Sequence, residues 1–141
     1  MTIQQGLTTS FKLDMVRGTQ NLASDTLYMA LYTAFADIND NTTAYTPTNE
    51  VTGGSYTAGG QALSNVTINS TSNGVVYVSF SNVVWNSVQF TTRGALIYNS
   101  TKSNASIAVL DFGSDKTQTG NNTFSVLLPP DTSSSALIQI N

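Results

Sequence analysis

The chain contains neither histidine nor cysteine, so its chemical repertoire is narrow. General acid–base or nucleophilic catalysis would have to rest on Asp, Glu, Ser, Tyr or Lys. Eight carboxylates are present, but a glycosidase needs two that face each other at about 5 to 10 Å. Most of them fall in loops or at strand ends, where acidic side chains are normally solvated. We therefore expect no enzymatic activity.

Two short runs spell fragments of metal-binding motifs. The Asp-Phe-Gly at 111–113 is a kinase metal motif, but no glycine-rich phosphate loop or catalytic-loop signature accompanies it. Asp37, Asn39 and Asn41 place oxygen ligands at the first, third and fifth positions of a calcium loop. Thr42 and Thr48 then stand where that loop needs glycine and a bidentate glutamate. We expect no metal and no other cofactor, and only a loose cation site at 37–41 stays open.

Arg93 is one of only two arginines in the chain. It directly precedes the first strand of a predicted hairpin, and its guanidinium group could hold a carboxylate through two parallel hydrogen bonds. That carboxylate could be Asp111 of the same fold, if the strands pair suitably, or one on a partner. Arg93 is therefore a candidate partner contact.

Composition excludes several classes of partner. Only 9% of the residues are charged, against about 25% in ordinary globular domains, and Thr, Ser and Asn supply the polarity instead. Such side chains lose little entropy when a contact orders them. The net charge of −3, with five scattered basic residues, argues against nucleic acid, whose binding requires clustered Lys or Arg. No secretory signal or apolar stretch of about 18 residues indicates a membrane, and we expect the mature chain to be the whole chain.

The residues from Thr91 to Gly113 predict the central element of the fold. Two apolar strands, Gly94 to Asn99 and Ser106 to Phe112, flank the polar connection Ser100 to Ala105 and form a hairpin. The second strand is continuously apolar, which is typical of a strand covered on both faces.

The other elements are predicted from periodicity and turn residues. A short helix begins at Phe11 with Ser10 as its cap and ends at Gly18, and residues 1–9 form an arm that is disordered or is ordered only by a partner. Asp25 to Thr33 alternates like an inner strand. The further predictions are a long loop Ala34 to Glu50 with a short strand near Thr43 to Tyr45, a hairpin of Ala62 to Asn69 with Gly74 to Phe80, a strand Val83 to Trp85, a loop Ser114 to Asn122, and strands Thr123 to Leu128 and Ala136 to Ile140.

Two local features refine this scheme. Four glycines, at 53, 54, 59 and 60, bracket Tyr56, which indicates sharp turns or backbone held close to another surface. Trp85, the only tryptophan, is expected to be buried.

About eight strands with turns at this spacing predict an all-β, two-sheet sandwich with one short N-terminal helix. We expect a single domain over 1–141, with 1–18 as its arm and helix.

The central hairpin, together with the run from Thr52 to Gly60 and the run from Asp111 to Lys116, resembles a family of small structural proteins of tailed bacteriophage particles. The resemblance extends from about Ser10 to Ile140, and its nearest functional description is the capsid decoration, or cement, protein. It implies a jelly-roll sandwich on the capsid surface of the virion. It also implies binding to the major capsid protein as a homodimer or homotrimer.

The surfaces that would meet such a partner are the N-terminal arm with its helix over Phe11 to Val16, the loop from Ala34 to Tyr56 and the sheet edges. Their candidate contact residues are Phe11, Met15, Tyr45 and Tyr56, besides Arg93. An alternative keeps the virion but places the protein in the tail or its fibres, as a module that binds host glycan. Tyr45 or Tyr56 beside Asn49 and Glu50 would then supply the aromatic platform and polar groups of a carbohydrate site.

Overall fold

The computed structural model describes residues 2–127 and 137–140, and most of its regular structure is strand. Within this part of the chain lie one α-helix, eight strands and a 3-10 turn, Ser100–Lys102. The helix and strands are β1 (Gly6–Leu7), α1 (Thr9–Arg17), β2 (Leu27–Tyr32), β3 (Gln61–Ala62), β4 (Thr67–Ser70), β5 (Val76–Ser79), β6 (Val83–Asn99), β7 (Ala105–Val126) and β8 (Ile138–Ile140).

The strands form two antiparallel sheets. The larger has the order β1-β7-β6-β2-β3 and the smaller the order β4-β5-β8. Side chains from both sheets and from α1 share one apolar core. The predicted all-β fold with two sheets and one short helix is therefore confirmed, whereas its assignment to the jelly-roll type stays a prediction.

The hairpin of β6 and β7 dominates the fold and changes character along its length. In its body half, residues 94–99 paired with 105–111, nearly every side chain is buried, as predicted for strands covered on both faces. In its ribbon half, residues 83–92 paired with 116–126, buried and exposed positions of β6 alternate apart from a local irregularity near Ser87. Trp85 lies on the buried face with 3% exposure, which confirms the prediction that this side chain is buried.

A bulge separates the two halves. Thr92 pairs with Lys116 and Gly94 with Asp111, so four residues of β7, 112–115, lie opposite Arg93 alone. Bulges of this kind bend a strand and increase its twist. The Arg93 Nε lies 3.9 Å from Asp111 Oδ1, and its Nη1 lies 3.6 Å from Asp115 Oδ1. Arg93 therefore pairs with a carboxylate of its own fold, as the sequence allowed. Because both side chains are partly exposed, the ion pair contributes little to stability.

The predicted loop Ser114 to Asn122 is wrong, because the whole segment belongs to β7, and its residues 116–118 and 122 pair with β6. Gln118 lies opposite Phe90, and Thr117 opposite Thr91, where the two threonine hydroxyls are 2.9 Å apart. The segment is polar and exposed, so its strand comes from backbone pairing and carries no hydrophobic period. The strands predicted at 83–85 and 123–128 are the ends of β6 and β7, with residue 128 outside the described residues.

The N-terminal arm is also different from its prediction, because it is ordered by this chain itself. Ile3 bridges to Ile38, and β1 pairs with β7. Thr8 continues this contact by donating its N–H to Ile107 O at 3.0 Å. Over residues 2–9 the arm is therefore neither disordered nor dependent on a partner protein, because this chain supplies its hydrogen-bond partners.

Helix α1 begins two residues earlier than expected. Its N-cap is Thr8, whose hydroxyl accepts the Phe11 N–H at 3.2 Å. Ser10, the predicted cap, instead lies within the helix with its hydroxyl 3.0 Å from that of Ser106. The predicted end is confirmed, since Gly18 adopts the left-handed conformation and closes the last turn.

We call residues 33–60, which connect β2 to β3, the long loop. Its first part, predicted as Ala34 to Glu50, covers the face of the larger sheet that is opposite the shared core. Ala36, Ile38 and Tyr45 pack there against side chains of β2, β6 and β7. The short strand predicted near Thr43 to Tyr45 is reduced to one bridge, between Ala44 and Ala105. The predicted hairpin is confirmed as β4 and β5, but the start of its first strand is wrong, because Ala62 lies in β3 and pairs with Tyr28 of β2. The predicted last strand is present as β8, while Ala136 lies outside the described residues.

Gly60 holds the loop against β2. Its φ is +81°, and a Cβ built on it would lie 1.8 Å from the Met29 carbonyl oxygen. Gly74, in the β4–β5 turn, has nearly the same φ of +82° but open space around it. The glycine pattern around Tyr56 thus reflects close backbone contact as well as turns.

We expect Gly60→Ala to destabilise the fold much more than Gly74→Ala. Both substitutions strain a left-handed residue, at a cost on the order of 1 kcal/mol. Only Gly60→Ala also forces the backbone away from Met29. This displacement should lower the free energy of unfolding by about 2 kcal/mol or more, in addition to the cost of the strain that both variants share. Urea unfolding of both variants measures the difference, and equal losses would show that the close contact is unimportant.

Candidate functional site

A buried carboxylate joins three parts of the long loop. Glu50 is 8% exposed, and its side chain accepts hydrogen bonds from the Tyr45 hydroxyl at 2.6 Å, the Tyr56 hydroxyl at 2.6 Å and the Gly59 N–H at 2.7 Å. Hydrogen bonds to an ionised acceptor are about twice as strong as neutral ones. They are also what allows a carboxylate to leave water. We call Glu50, Tyr45, Tyr56, Tyr98 and Gly59 the Glu50 cluster.

The two tyrosines reach Glu50 from opposite sides of the larger sheet. Tyr45 lies in the layer under the loop and stacks on Tyr98 of β6, with ring centroids 4.8 Å apart. Tyr56 lies against the shared core, and the centroid of its ring is 6.3 Å from that of Trp85. Its hydroxyl also accepts the Leu31 N–H at 2.9 Å. The carboxylate therefore links the layers on the two faces of the sheet.

Every tyrosine of the Glu50 cluster is held in its neutral form. Burial raises the pKa of Tyr45 and Tyr56, and the hydrogen bond that each donates to Glu50 raises it further. Burial and the negative charge of Glu50 raise the pKa of Tyr98 to about 12. Its hydroxyl donates to the Gly59 carbonyl at 2.6 Å. The hydroxyls thus act as hydrogen-bond donors that fasten the loop.

The candidate contacts on the helix have different positions. Phe11 is 2% exposed and packs in the shared core, so a partner could reach it only by displacing α1. Met15 is half-buried and borders an apolar groove of ≈ 180 Å³ between α1 and the smaller sheet. Other residues along this groove are Leu22, Ile68, Val76, Val78, Ile138 and Ile140.

The two motif fragments take part in local hydrogen bonding. Asn39 Nδ2 donates to Asp37 Oδ1 at 3.1 Å, and the Asn41 N–H donates to Asn39 Oδ1 at 2.8 Å. In the bulge, the Gly113 N–H donates to Asp111 Oδ1 at 2.8 Å. Within residues 2–127 and 137–140, no group of three or more His, Cys, Asp or Glu side chains could hold a metal ion.

Charge is distributed very unevenly over the chain. No Asp, Glu, Lys or Arg occurs in residues 51–92, 117–127 or 137–140, which include the whole smaller sheet and almost all of the ribbon half. We call these three segments the uncharged region. It holds five of the eight large exposed apolar side chains of the described residues: Ile68, Val76, Val84, Leu127 and Ile140. The low overall charge does not by itself predict this segregation, although the spacing of the charged residues in the sequence does.

Comparisons with known proteins identify no relative. No protein-family model matches the chain, and neither a curated protein nor a solved structure matches it. In the part of the chain that the structure describes, no helix has the length and apolar character needed to cross a membrane.

We expect Tyr56→Phe to destabilise the protein by about 1 to 3 kcal/mol, because it leaves a buried carboxylate oxygen and the Leu31 N–H with one partner fewer. Tyr77→Phe is the matched control, since the Tyr77 side chain, on β5, lies outside the cluster. Chemical denaturation of both variants tests this expectation. Equal stability of the two would mean that the Tyr56–Glu50 bond contributes nothing.

The Glu50 cluster also predicts a loss of stability at alkaline pH. The folded state favours the protonated Tyr98 hydroxyl, so the stabilisation is complete below the ordinary tyrosine pKa of 10.0 and is lost as the pH rises through about 12. The free energy of unfolding should therefore fall across this interval, and Tyr98→Phe should reduce the slope by up to about one proton. Urea unfolding at a series of pH values measures the slope, and an unchanged slope in the variant would contradict the prediction.

Proposed function

We propose that the chain is a non-enzymatic structural protein of a bacteriophage particle, a decoration protein that binds the assembled capsid and stabilises it. The proposal rests on the sequence resemblance described above and on one structural observation, the uncharged region. The protein would lie on the capsid surface of the virion and bind the major capsid protein. A jelly-roll arrangement of the strands belongs to the same proposal.

The uncharged region suits a large contact with another protein for two physical reasons. Burying an unpaired charge costs several kcal/mol, and this surface has none to bury. Ser, Thr and Asn side chains also lose less conformational entropy than Lys or Glu when a contact orders them. A stable contact buries about 1,600 Å² in total, and repetition around a shell turns modest contacts into collective resistance to internal pressure.

The outer face of the ribbon half is the part of this surface that we assign to the capsid. Val84 is 39% exposed there, among the uncharged side chains of Asn86, Gln89 and Thr91. The N-terminal segment is a poorer candidate, because β1 and α1 are part of the fold. Deleting residues 1–18 would therefore test folding and not binding.

The alternative, a glycan-binding module of the tail or its fibres, has less support. It requires Tyr45 or Tyr56 to present a free ring beside a free carboxylate. Tyr45 is stacked on Tyr98, Tyr56 packs near Trp85, and three donors already occupy Glu50. We therefore retain it as the second candidate only.

Co-sedimentation of the recombinant protein with purified, undecorated mature capsids tests the proposal, with fibre-free tails and host cells as parallel targets. We expect saturable binding to capsids in proportion to the shell subunits. Val84→Lys should weaken it at least about tenfold, equivalent to 1.4 kcal/mol, since it buries a charge in the contact.

The matched control is Val16→Lys, which adds the same charge at an apolar residue of α1 that is 89% exposed. Its binding should equal that of the unmodified chain. Binding only to tails or to cells would overturn the capsid proposal and favour the alternative.

A further inference from the structure

Strand β4 is an open and unprotected edge of the smaller sheet. It pairs with β5 on one side, and no strand of the described residues lies on the other. Natural edge strands are usually blocked by Lys, by Pro or by inward-pointing charges. The four residues of β4, Thr-Ile-Asn-Ser, include none of these, and the nearest charged positions in the sequence are Glu50 and Arg93.

The backbone of this edge offers a regular set of hydrogen-bonding groups that have no partner among the described residues. Thr71 donates its N–H to Val75 O at 2.9 Å, in the same register as the β4–β5 pairs. Backbone groups alternate in direction along an antiparallel strand. Thr67 and Asn69 therefore direct theirs to β5, while Ile68 and Ser70 direct their N–H and C=O groups to the open side.

The apolar face of the smaller sheet extends beyond the core that it covers. Register places Ile68 opposite Val78, Val78 opposite Ile138 and Val76 opposite Ile140, so all five side chains share one face. Val78 and Ile138 are buried, at 7% and 1% exposure. Ile68, Val76 and Ile140 are exposed by 48%, 37% and 52%. An apolar strip thus lies directly beside the open edge.

We propose that a second copy of the chain occupies this edge, with β4 pairing antiparallel to β4 of its partner across a two-fold axis. The two smaller sheets would join into one sheet of six strands. The two apolar strips would become continuous on one face, and the exposed part of Ile68 would be covered at the centre.

A second copy fits this edge because the edge is self-complementary. A two-fold pairing centred on Ile68 or on Asn69 keeps the apolar side chains of both copies on the same face. Both registers also set residues with outward backbone groups opposite each other, which is what an antiparallel ladder requires. Neither copy brings a charge to the contact, so the net charge of −3, carried elsewhere, opposes the pairing only weakly.

The proposed dimer does not depend on the capsid, so it is tested on the purified protein alone. Since the chain has no cysteine, single-cysteine variants report the contact cleanly. Opposed residues at the centre of an antiparallel pair have Cβ atoms about 4.5 to 5.5 Å apart, close enough for a disulfide after a small adjustment. We expect Ile68→Cys or Asn69→Cys to form a disulfide-linked dimer in a glutathione buffer. Ala23→Cys, at an exposed residue of the connection between α1 and β2, should stay monomeric.

The native chain should show a concentration-dependent dimer mass by sedimentation equilibrium. Ile68→Lys should raise the dissociation constant at least about tenfold, while Val16→Lys should leave it unchanged. Circular dichroism and thermal unfolding of both lysine variants establish that they fold.

A native chain that stays monomeric over about a hundredfold range of concentration would overturn the dimer. So would a dimer that survives Ile68→Lys, or equal cross-linking at positions 23, 68 and 69. A monomeric chain whose Ile68→Lys variant fails to bind capsids would show instead that a different protein occupies the edge. Failure of capsid binding with an intact dimer would overturn only the proposed function.

Discussion

The body half of the β6–β7 hairpin is apolar on both faces, and the rest of the fold is built to cover both. One face is met by α1 and by the core shared with the smaller sheet. The other is covered by a long loop that has almost no regular structure of its own. A loop can act as a layer only if something fixes it, because its backbone forms few ladders. The buried carboxylate of Glu50 and the glycines that follow it provide that attachment.

A second polar network lies where β6 ends and β7 begins. The Ser106 hydroxyl lies 2.9 Å from that of Thr8 and donates to the Thr42 carbonyl at 2.6 Å. Asn99 Nδ2 donates to Gln20 Oε1 at 3.0 Å and to Asp25 Oδ2 at 2.8 Å. These groups, most of which are buried, come from distant parts of the sequence, and each finds a partner only in the completed fold. A polar interior of this kind specifies one arrangement of the layers, since any other leaves polar groups unpaired.

The elements with a strong hydrophobic period could be predicted from the sequence, and those formed by long-range pairing could not. The strand at 27–32 and the body half of the hairpin follow from alternation or from continuous apolar runs. The polar half of β7 gives no such signal, because its pairing depends on β6. The ordering of the N-terminal segment depends on an edge about a hundred residues away. The sequence points to Tyr45, Tyr56 and Glu50 one by one, but the hydrogen-bonded network that they form depends on the fold of the long loop.

The long distance in sequence between α1 and its partners in β7 affects the order in which the chain folds during synthesis on the ribosome. Thr8 and Ser106, whose hydroxyls meet beneath the helix, are 98 residues apart in sequence. The β6–β7 hairpin, by contrast, closes across a short connection, and local contacts of that kind form fast. The first strand and helix leave the ribosome before the edge on which they dock has been made. The N-terminal part of the fold is therefore completed only after β7 has been synthesised, and the N-terminal segment is expected to join after the hairpin.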